Sequence, residues 1–222
     1  MKSVTKGLQV ASQKSQVKDK KILITAGPTQ VAIDDVRVIS NIATGETGIL
    51  LAEKLCRLGA RVTLFIGCEP ASEVDARIKL IPFRYFSQLK EILKKKLKSE
   101  NFDAIIHNAA VSDFGLKRRK GKLSSSKSII LNLVPLPKIT SIIRRWGSKA
   151  YFVIFKLQPG VRDEILIGSA RKAMERYGAD LVVANRLSPY RAFIIGRQGG
   201  IIRVKSKIQL SDKLSELIIN KI

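Results

Sequence analysis

The sequence predicts a three-layer, Rossmann-like α/β fold with a mainly parallel sheet and an antiparallel C-terminal hairpin. Three observations carry this. Short apolar runs alternate with runs of helical period along most of the chain. Turns rich in Gly and Pro separate them. Near the end, two apolar runs flank Arg197-Gln198-Gly199-Gly200, a hairpin signal.

The elements follow in order. Residues 1–20 are polar, rich in Lys, Ser and Gln and without periodicity, so they read as a basic flexible tail. "KILIT" (21–25) is a strand ended by Ala-Gly-Pro, and a long loop then runs to Gly45. Ile49, Leu50, Ala52, Leu55 and Cys56 have helical spacing, which stops at Gly59. "RVTLFIG" and "ARIKLIPF" read as strands. Ser87 is the expected cap of a helix that places Leu89, Ile92, Leu93 and Leu97 on one face and lysines on the other. "DAIIHN" (103–108) reads as a buried strand before a long basic loop, and "SIILNLV" (128–134) as a further strand. "PKITSIIRRWG" is a short helix, "YFVIFKL" (151–157) a strand, and the helix after it ends at Gly178. "DLVVAN" (180–185) is a strand, "AFIIG" and "IIRV" form the hairpin, and Ser211 is the expected cap of a last helix with Leu214, Leu217, Ile218 and Ile222 inward.

A chain of 222 residues can bury one sizeable core. No apolar run approaches the roughly 18 residues of a membrane span. The first residues lack the apolar stretch and cleavage site of a secretory signal. Cys56 and Cys68 form no CxxC pair and read as reduced thiols, so a cytoplasmic location is expected. The charge is the outlier: 41 Lys and Arg face 18 Asp and Glu, a formal +23. Residues 1–21, with six lysines and one aspartate, contribute +5, and "LKRRKGK" (116–122) adds five basic residues with no acid. Such a surface suits nucleic acid, polyanionic small substrates such as nucleoside triphosphates, or simply a lysine-rich proteome.

Ligands of open parallel sheets bind outside the carboxyl ends of the strands. Four suggestive loops fall there: "TAGPT", "NAAVSDF", "FKLQPG" and "VVANRLS". Gly45 and Gly48 open a helix, where free N–H groups and the dipole favour an anion, although a glycine there also serves as a plain turn or cap. A short-chain dehydrogenase is the nearest mimic, but its Tyr-x-x-x-Lys pair is missing. The residues four places after Tyr85, Tyr151, Tyr177 and Tyr190 are Leu89, Phe155, Leu181 and Ile194. The sequence contains no His/Cys cluster of zinc type and no Walker A loop. The single histidine, His107, falls in a buried strand and reads as a core residue.

Taken in order, "ITAGPT", "VRVISNIATGETG", "NAAVSDF", "GKLSSS", "FKL" and "GADLVVAN" resemble the phosphopantothenate–cysteine ligases of coenzyme A biosynthesis, from about Lys21 to the C-terminus. The resemblance implies a single ligase-like domain over 21–222 and a nucleotide-dependent reaction. The carboxylate of 4′-phosphopantothenate attacks the α-phosphate of CTP or ATP with Mg²⁺, and pyrophosphate leaves. The cysteine amine then displaces the nucleoside monophosphate from the acyl-nucleotidylate. "FKL" and "AAVSDF" lean to the eukaryotic, ATP-using pattern. The resemblance places Asn41 on the acyl-nucleotidylate. It places Lys122 on a mobile loop over the triphosphate and Arg37 at the nucleotide of a neighbouring subunit, implying a homodimer. Ala109, Ala110 and Asp113 fall to the nucleotide cleft, Gly27, Gly45 and Gly48 to the phosphopantothenate phosphate, and Phe155 and Asn185 to the phosphopantothenate site.

This chain departs from the family pattern at three places. Ala43 stands where a serine contacts phosphate, Pro28 replaces a glycine, and Gln158-Pro159 replaces Glu-Thr. A lost hydrogen bond to a charged group is worth about 1.5–3 kcal/mol. Bacterial relatives are often fused to a flavin-dependent decarboxylase, which suggests association with one. The competing expectation is a divergent Rossmann-like nucleotide- or nucleic-acid-binding protein without ligase activity. Few aromatic residues interleave with the basic runs, which disfavours nucleic acid. A nicotinamide-binding regulator is the third.

Overall fold

After its first lysine, Lys21–Ala26 (β1) is buried at every position, as expected of a strand covered on both faces of a sheet. The computed structural model describes residues 17–147 and 149–222. Further strands are Gln30–Ala32 (β2), Val38–Ser40 (β3), Arg61–Ile66 (β4), Lys79–Pro82 (β5), Ala104–His107 (β6), Phe114–Gly115 (β7), Val134–Pro135 (β8), Tyr151–Leu157 (β9), Leu181–Leu187 (β10), Tyr190–Gly196 (β11) and Ile201–Val204 (β12). The helices are Glu46–Arg57 (α1), Phe86–Ser99 (α2), Ile139–Trp146 (α3), Asp163–Tyr177 (α4) and Lys207–Ile219 (α5).

Eight strands form the main sheet in the order β12-β11-β10-β9-β6-β1-β4-β5. β5, β4, β1, β6, β9 and β10 run parallel, while β11 and β12 return antiparallel. The expected fold class is therefore observed. From β1 the chain crosses to β4 on one side, and β6 then takes the other side. That reversal is the switch point at which such sheets bind ligands.

Strand alternation sends the two sets of side chains to different helices. Ile22, Ile24 and Ala26 pack with Leu51, Ala52 and Leu55 of α1 and Leu210, Leu214 and Ile218 of α5. Leu23 and Phe65 pack on the other face with Leu89 and Leu93 of α2, Ile143 of α3, and Leu166 and Ala170 of α4. Each such large apolar side chain contributes about 1.5–3 kcal/mol on full burial. Between α1 and α5, the Ser211 hydroxyl donates to Leu50 O at 3.2 Å and Lys54 pairs with Asp212.

Four expectations need correction. Residues 128–134 do not form a sheet strand, because β6 pairs directly with β9 and leaves no slot between them. Only Val134–Pro135 bonds, to Phe114–Gly115, and Ile130 stays 83% exposed. The loop from 26 to 45 contains the antiparallel pair β2–β3. Ser87 lies inside α2, whose entry is held by Gln88 Oε1 accepting from the Arg84 and Tyr85 N–H groups. Ser211 is likewise internal to α5. Ser206 caps that helix by accepting from Gln209 N–H at 3.1 Å, the Ser-x-x-Gln spacing of a capping box. As for the expected tail, residues 17–20 pack onto the domain. Val17 is fully buried and Asp19 N–H donates to Gly59 O at 3.2 Å. Residues 1–16 of it lie outside the described residues.

Candidate active site

Where β1 ends, the chain turns at Gly27 with φ 76°, a left-handed conformation that suits glycine. Gly45, at φ 74°, caps α1. A Cβ on Gly27 would lie 2.9 Å from Cys68 Sγ, and one on Gly45 would lie 2.8 Å from the same sulfur. The two glycines therefore meet over Cys68, whose thiol donates to Thr44 O at 3.1 Å. Burial pushes the Cys68 pKa up, which keeps the sulfur a donor rather than a thiolate. At Gly48 the crowding comes from close approach: a Cβ there would sit 2.4 Å from Ala26 Cβ and 3.3 Å from Asn108 Nδ2. The start of α1 thus presses on the carboxyl ends of β1 and β6. Gly45 supplies no capping side chain, so the positive end of the helix faces the switch point.

After β6, Asn108-Ala109-Ala110 runs on beside the end of β1 and continues their parallel pairing as far as Pro28. Asn108 N–H donates to Thr25 O at 3.0 Å, Ala110 N–H to Gly27 O at 2.9 Å, and Thr29 N–H to Ala110 O at 3.2 Å. The Asn41 amide donates to Ala110 O at 2.9 Å, which docks the end of the β2–β3 hairpin on the same segment. Asp113 stands further out, exposed and paired with Lys138 at the start of α3. Phe155 and Asn185 lie on the next two strands. Val183 pairs with Phe155, and Asn185 with Leu157. Phe155 therefore shares the α1 face with Val183, and Asn185, two residues on along β10, does too. Both are half-buried. The Arg37 guanidinium donates to Asp34 and to Leu123 O, each at 3.1 Å, beside the exposed Lys122.

Gly27, Asn41, Gly45, Gly48, Ala109 and Ala110 thus converge at one point. Ala43 lies half-buried within the same loop. Phe155 and Asn185 extend the row along the sheet edge. Arg37, on the segment that leads to Asn41, adjoins Lys122 through the Arg37–Leu123 bond. Sequence reasoning assigned no role to Cys68, Asn108, Thr25 or Asp34. Thr25 and Asn108 lie inside quoted loops, whereas Cys68 and Asp34 are brought to the site only by the packing. Among the described residues, no group of three His, Cys, Asp or Glu side chains is placed to hold a metal ion.

Where β1 and β6 end side by side, Thr25 Oγ1 lies 2.7 Å from His107 Nδ1 and accepts from Ala109 N–H at 3.3 Å. Burial lowers the His107 pKa from an ordinary 6.5 to about 4, so the folded protein keeps the ring neutral. Below pH 6.5 the unfolded chain takes up a proton that the fold refuses. Stability therefore falls as pH drops from 7 towards 4, by at most about 1.4 kcal/mol per pH unit from this group. Denaturant titrations should show this slope in the wild type and a flatter profile in His107→Gln between pH 6.5 and 4.5. An unchanged slope in the variant would assign the effect to other groups.

The model of the DNA/pantothenate metabolism flavoprotein C-terminal domain matches residues 17–217. The coenzyme A biosynthesis bifunctional protein CoaBC of Thermococcus kodakarensis is 36% identical over 173 residues, covering 77% of this chain and 42% of that protein. The CoaBC of Borreliella burgdorferi is 31% identical over 217 residues, covering 93% and 53%. The chain therefore spans about half the length of these relatives. The crystal structure of the DNA/pantothenate metabolism flavoprotein from Streptococcus pneumoniae superposes with a TM-score of 0.81 at 27% identity, covering 90% of this chain and 98% of that one. With 201 of 222 residues inside the family model, the chain belongs to the family of the DNA/pantothenate metabolism flavoprotein C-terminal domain, the ligase family that its ordered loops resemble.

Proposed function

We propose that the protein joins 4′-phosphopantothenate to cysteine through an acyl-nucleotidylate, as a nucleotide-dependent ligase of coenzyme A biosynthesis. The observation that carries this reading is the docking of Asn41 on Ala110 beside the Gly27–Gly45–Gly48 cradle, at the switch point of the sheet. The curated relatives bear the name of coenzyme A biosynthesis proteins, which supports the same reading.

In this reading the glycines let the backbone approach the phosphate of phosphopantothenate, and the α1 dipole favours its charge. The amide of Asn41 has two N–H donors. Ala110 takes one, and the other serves an oxygen that gains charge as the acyl-nucleotidylate forms. Lys122 offsets charge on the triphosphate, with Ala109, Ala110 and Asp113 along the nucleotide. Phe155 and Asn185 line the pantothenate end. Mg²⁺ would come with the CTP or ATP co-substrate and would offset the charge of its phosphates.

A homodimer fits the exposure of Val36 (66%), Ile39 (37%) and Ile42 (99%), which surround Arg37 and Asn41. Arg37 keeps guanidinium N–H groups beyond its two bonds within the chain, enough to reach a neighbour's nucleotide. No helix among the described residues is long and apolar enough to cross a membrane. A cytoplasmic location and association with a flavin-dependent decarboxylase are proposed with the pathway. The deciding experiment incubates the protein with phosphopantothenate, cysteine, Mg²⁺ and each of the four nucleoside triphosphates in turn. Pyrophosphate release with one or more of them is expected, and none with any would sink the proposal.

A further inference from the structure

Asp34 is a carboxylate with no exposed side-chain surface. Its Oδ1 accepts from Val36 N–H at 2.8 Å and Arg37 N–H at 2.7 Å. Its Oδ2 accepts from the Arg37 guanidinium and from Leu123 N–H, both at 3.1 Å. The Val36 N–H leads the donors that hold its pKa below the usual carboxylate range. Asp35 reaches the same loop from the other side. Its Oδ2 accepts from Gly121 N–H at 2.8 Å and its Oδ1 from Arg118 at 2.6 Å, while Gly121 O accepts from Asp35 N–H at 3.2 Å. Arg119 N–H donates to Ile33 O at 3.0 Å.

The bonded residues Gly121 and Leu123 flank Lys122, whose own side chain is left in solvent. The basic run 117–122 contains no acid, so both carboxylates that hold it come from the segment carrying Arg37 and leading to Asn41. Ordinary loop packing asks for backbone bonds to water or to neighbours. Here two adjacent aspartates bind both sides of one lysine, and Arg37 Nη1 donates both to Asp34 Oδ2 and to Leu123 O, which ties Asp34 to the loop a second time.

We infer that Asp34 and Asp35 form a latch that fixes the backbone on either side of Lys122 to the segment bearing Arg37 and Asn41, with Asp34 as the positioning residue that acts through Arg37 and the basic loop. The consequence for catalysis rests on the ligase reading. The latch itself does not. A loop carrying five basic residues would otherwise repel itself away from the sheet edge. The latch makes Lys122 and Asn41 parts of one preorganised wall, and such placement matters for a charge that must meet a triphosphate.

Limited trypsin digestion of the native full chain tests it, with cleavage after residues 117–122 timed by mass spectrometry. Asp34→Asn and Asp35→Asn should raise that cleavage rate at least about tenfold, while the control Asp103→Asn should not. In the pyrophosphate assay, the two latch variants should lower kcat about tenfold with KM for cysteine within about twofold, a split that general loosening of the fold would not give. Should buried Asp34→Asn fail to fold, Asp35→Asn carries the test, since its side chain is 43% exposed. Wild-type cleavage rates in both variants overturn the latch. Faster cleavage with unchanged kcat overturns the positioning role. A wild type that releases no pyrophosphate refutes the ligase reading, and the digestion still decides the latch.

Discussion

Replacing Asn41 by Asp should lower the rate of pyrophosphate release about 10²–10³-fold at saturating substrates, the usual cost of losing one oriented donor at a developing negative charge. The geometry gives the reason. The Asn41 amide donates to Ala110 O at 2.9 Å, and a carboxylate has no N–H to give. Two acceptors would then face each other, and the side chain would turn away from Ala110 and the paired ends of β1 and β6. In the proposed reaction, an added negative charge would also stand where phosphate and acyl oxygens collect charge. Asn41 is exposed, so stability should fall by no more than about 0.5–1.5 kcal/mol, the net worth of one such bond. A melting curve close to wild type beside crippled turnover is the expected pair of results. Wild-type turnover would remove Asn41 from the mechanism.

The sheet was legible because β1, β4, β6 and β9 are apolar runs followed by Gly, Asn or Gln, β10 opens on the apolar run Leu181–Ala184, and their patterning needs no knowledge of neighbours. Residues 128–134 failed the same test for a topological reason. Their apolar content suits a strand, but the edges of β6 and β9 were already paired to each other, and pairing is not written in the run itself. The helix starts at Tyr85 and Ser206 were misplaced because serines at 87 and 211 also fit a capping pattern. The partner glutamines, Gln88 and Gln209, were the better signal. At the site, the glycine and Asn-Ala-Ala loops could be placed from their position after strands. The Asp34–Asp35 bonds could not, since they join residues 86 and 89 positions apart. Read along the chain, "LKRRKGK" is an unopposed basic run. In the fold, part of its charge is answered by that remote pair.

Gly48→Ala should destabilise the protein by about 3 kcal/mol, the upper part of the range for inserting a methyl into a filled interior. Two effects oppose each other here. In a helix interior, alanine is favoured over glycine by about 0.8–1.0 kcal/mol. Against this, the new Cβ would lie 2.4 Å from Ala26 Cβ, well inside van der Waals contact. Ala26 is the last residue of β1, which is hydrogen-bonded to β4 on one side and β6 on the other, so it cannot retreat. The helix must move instead, and that carries the Gly45 turn off the end of β1. Gly168 in α4 separates the two effects, since a Cβ there meets nothing within 4 Å. Gly168→Ala should therefore gain about 0.4–1 kcal/mol. In thermal melts, at about 2–4 °C per kcal/mol for a domain of this size, the two substitutions should shift the midpoint in opposite directions. A stabilised Gly48→Ala protein would mean that α1 does not press on β1, and the phosphate cradle would lose its geometric basis. If Gly48→Ala is destabilised, its affinity for phosphopantothenate should fall as well, because the helix shift that relieves the clash carries Gly45 and Gly48 away from Gly27, the third residue of the proposed cradle.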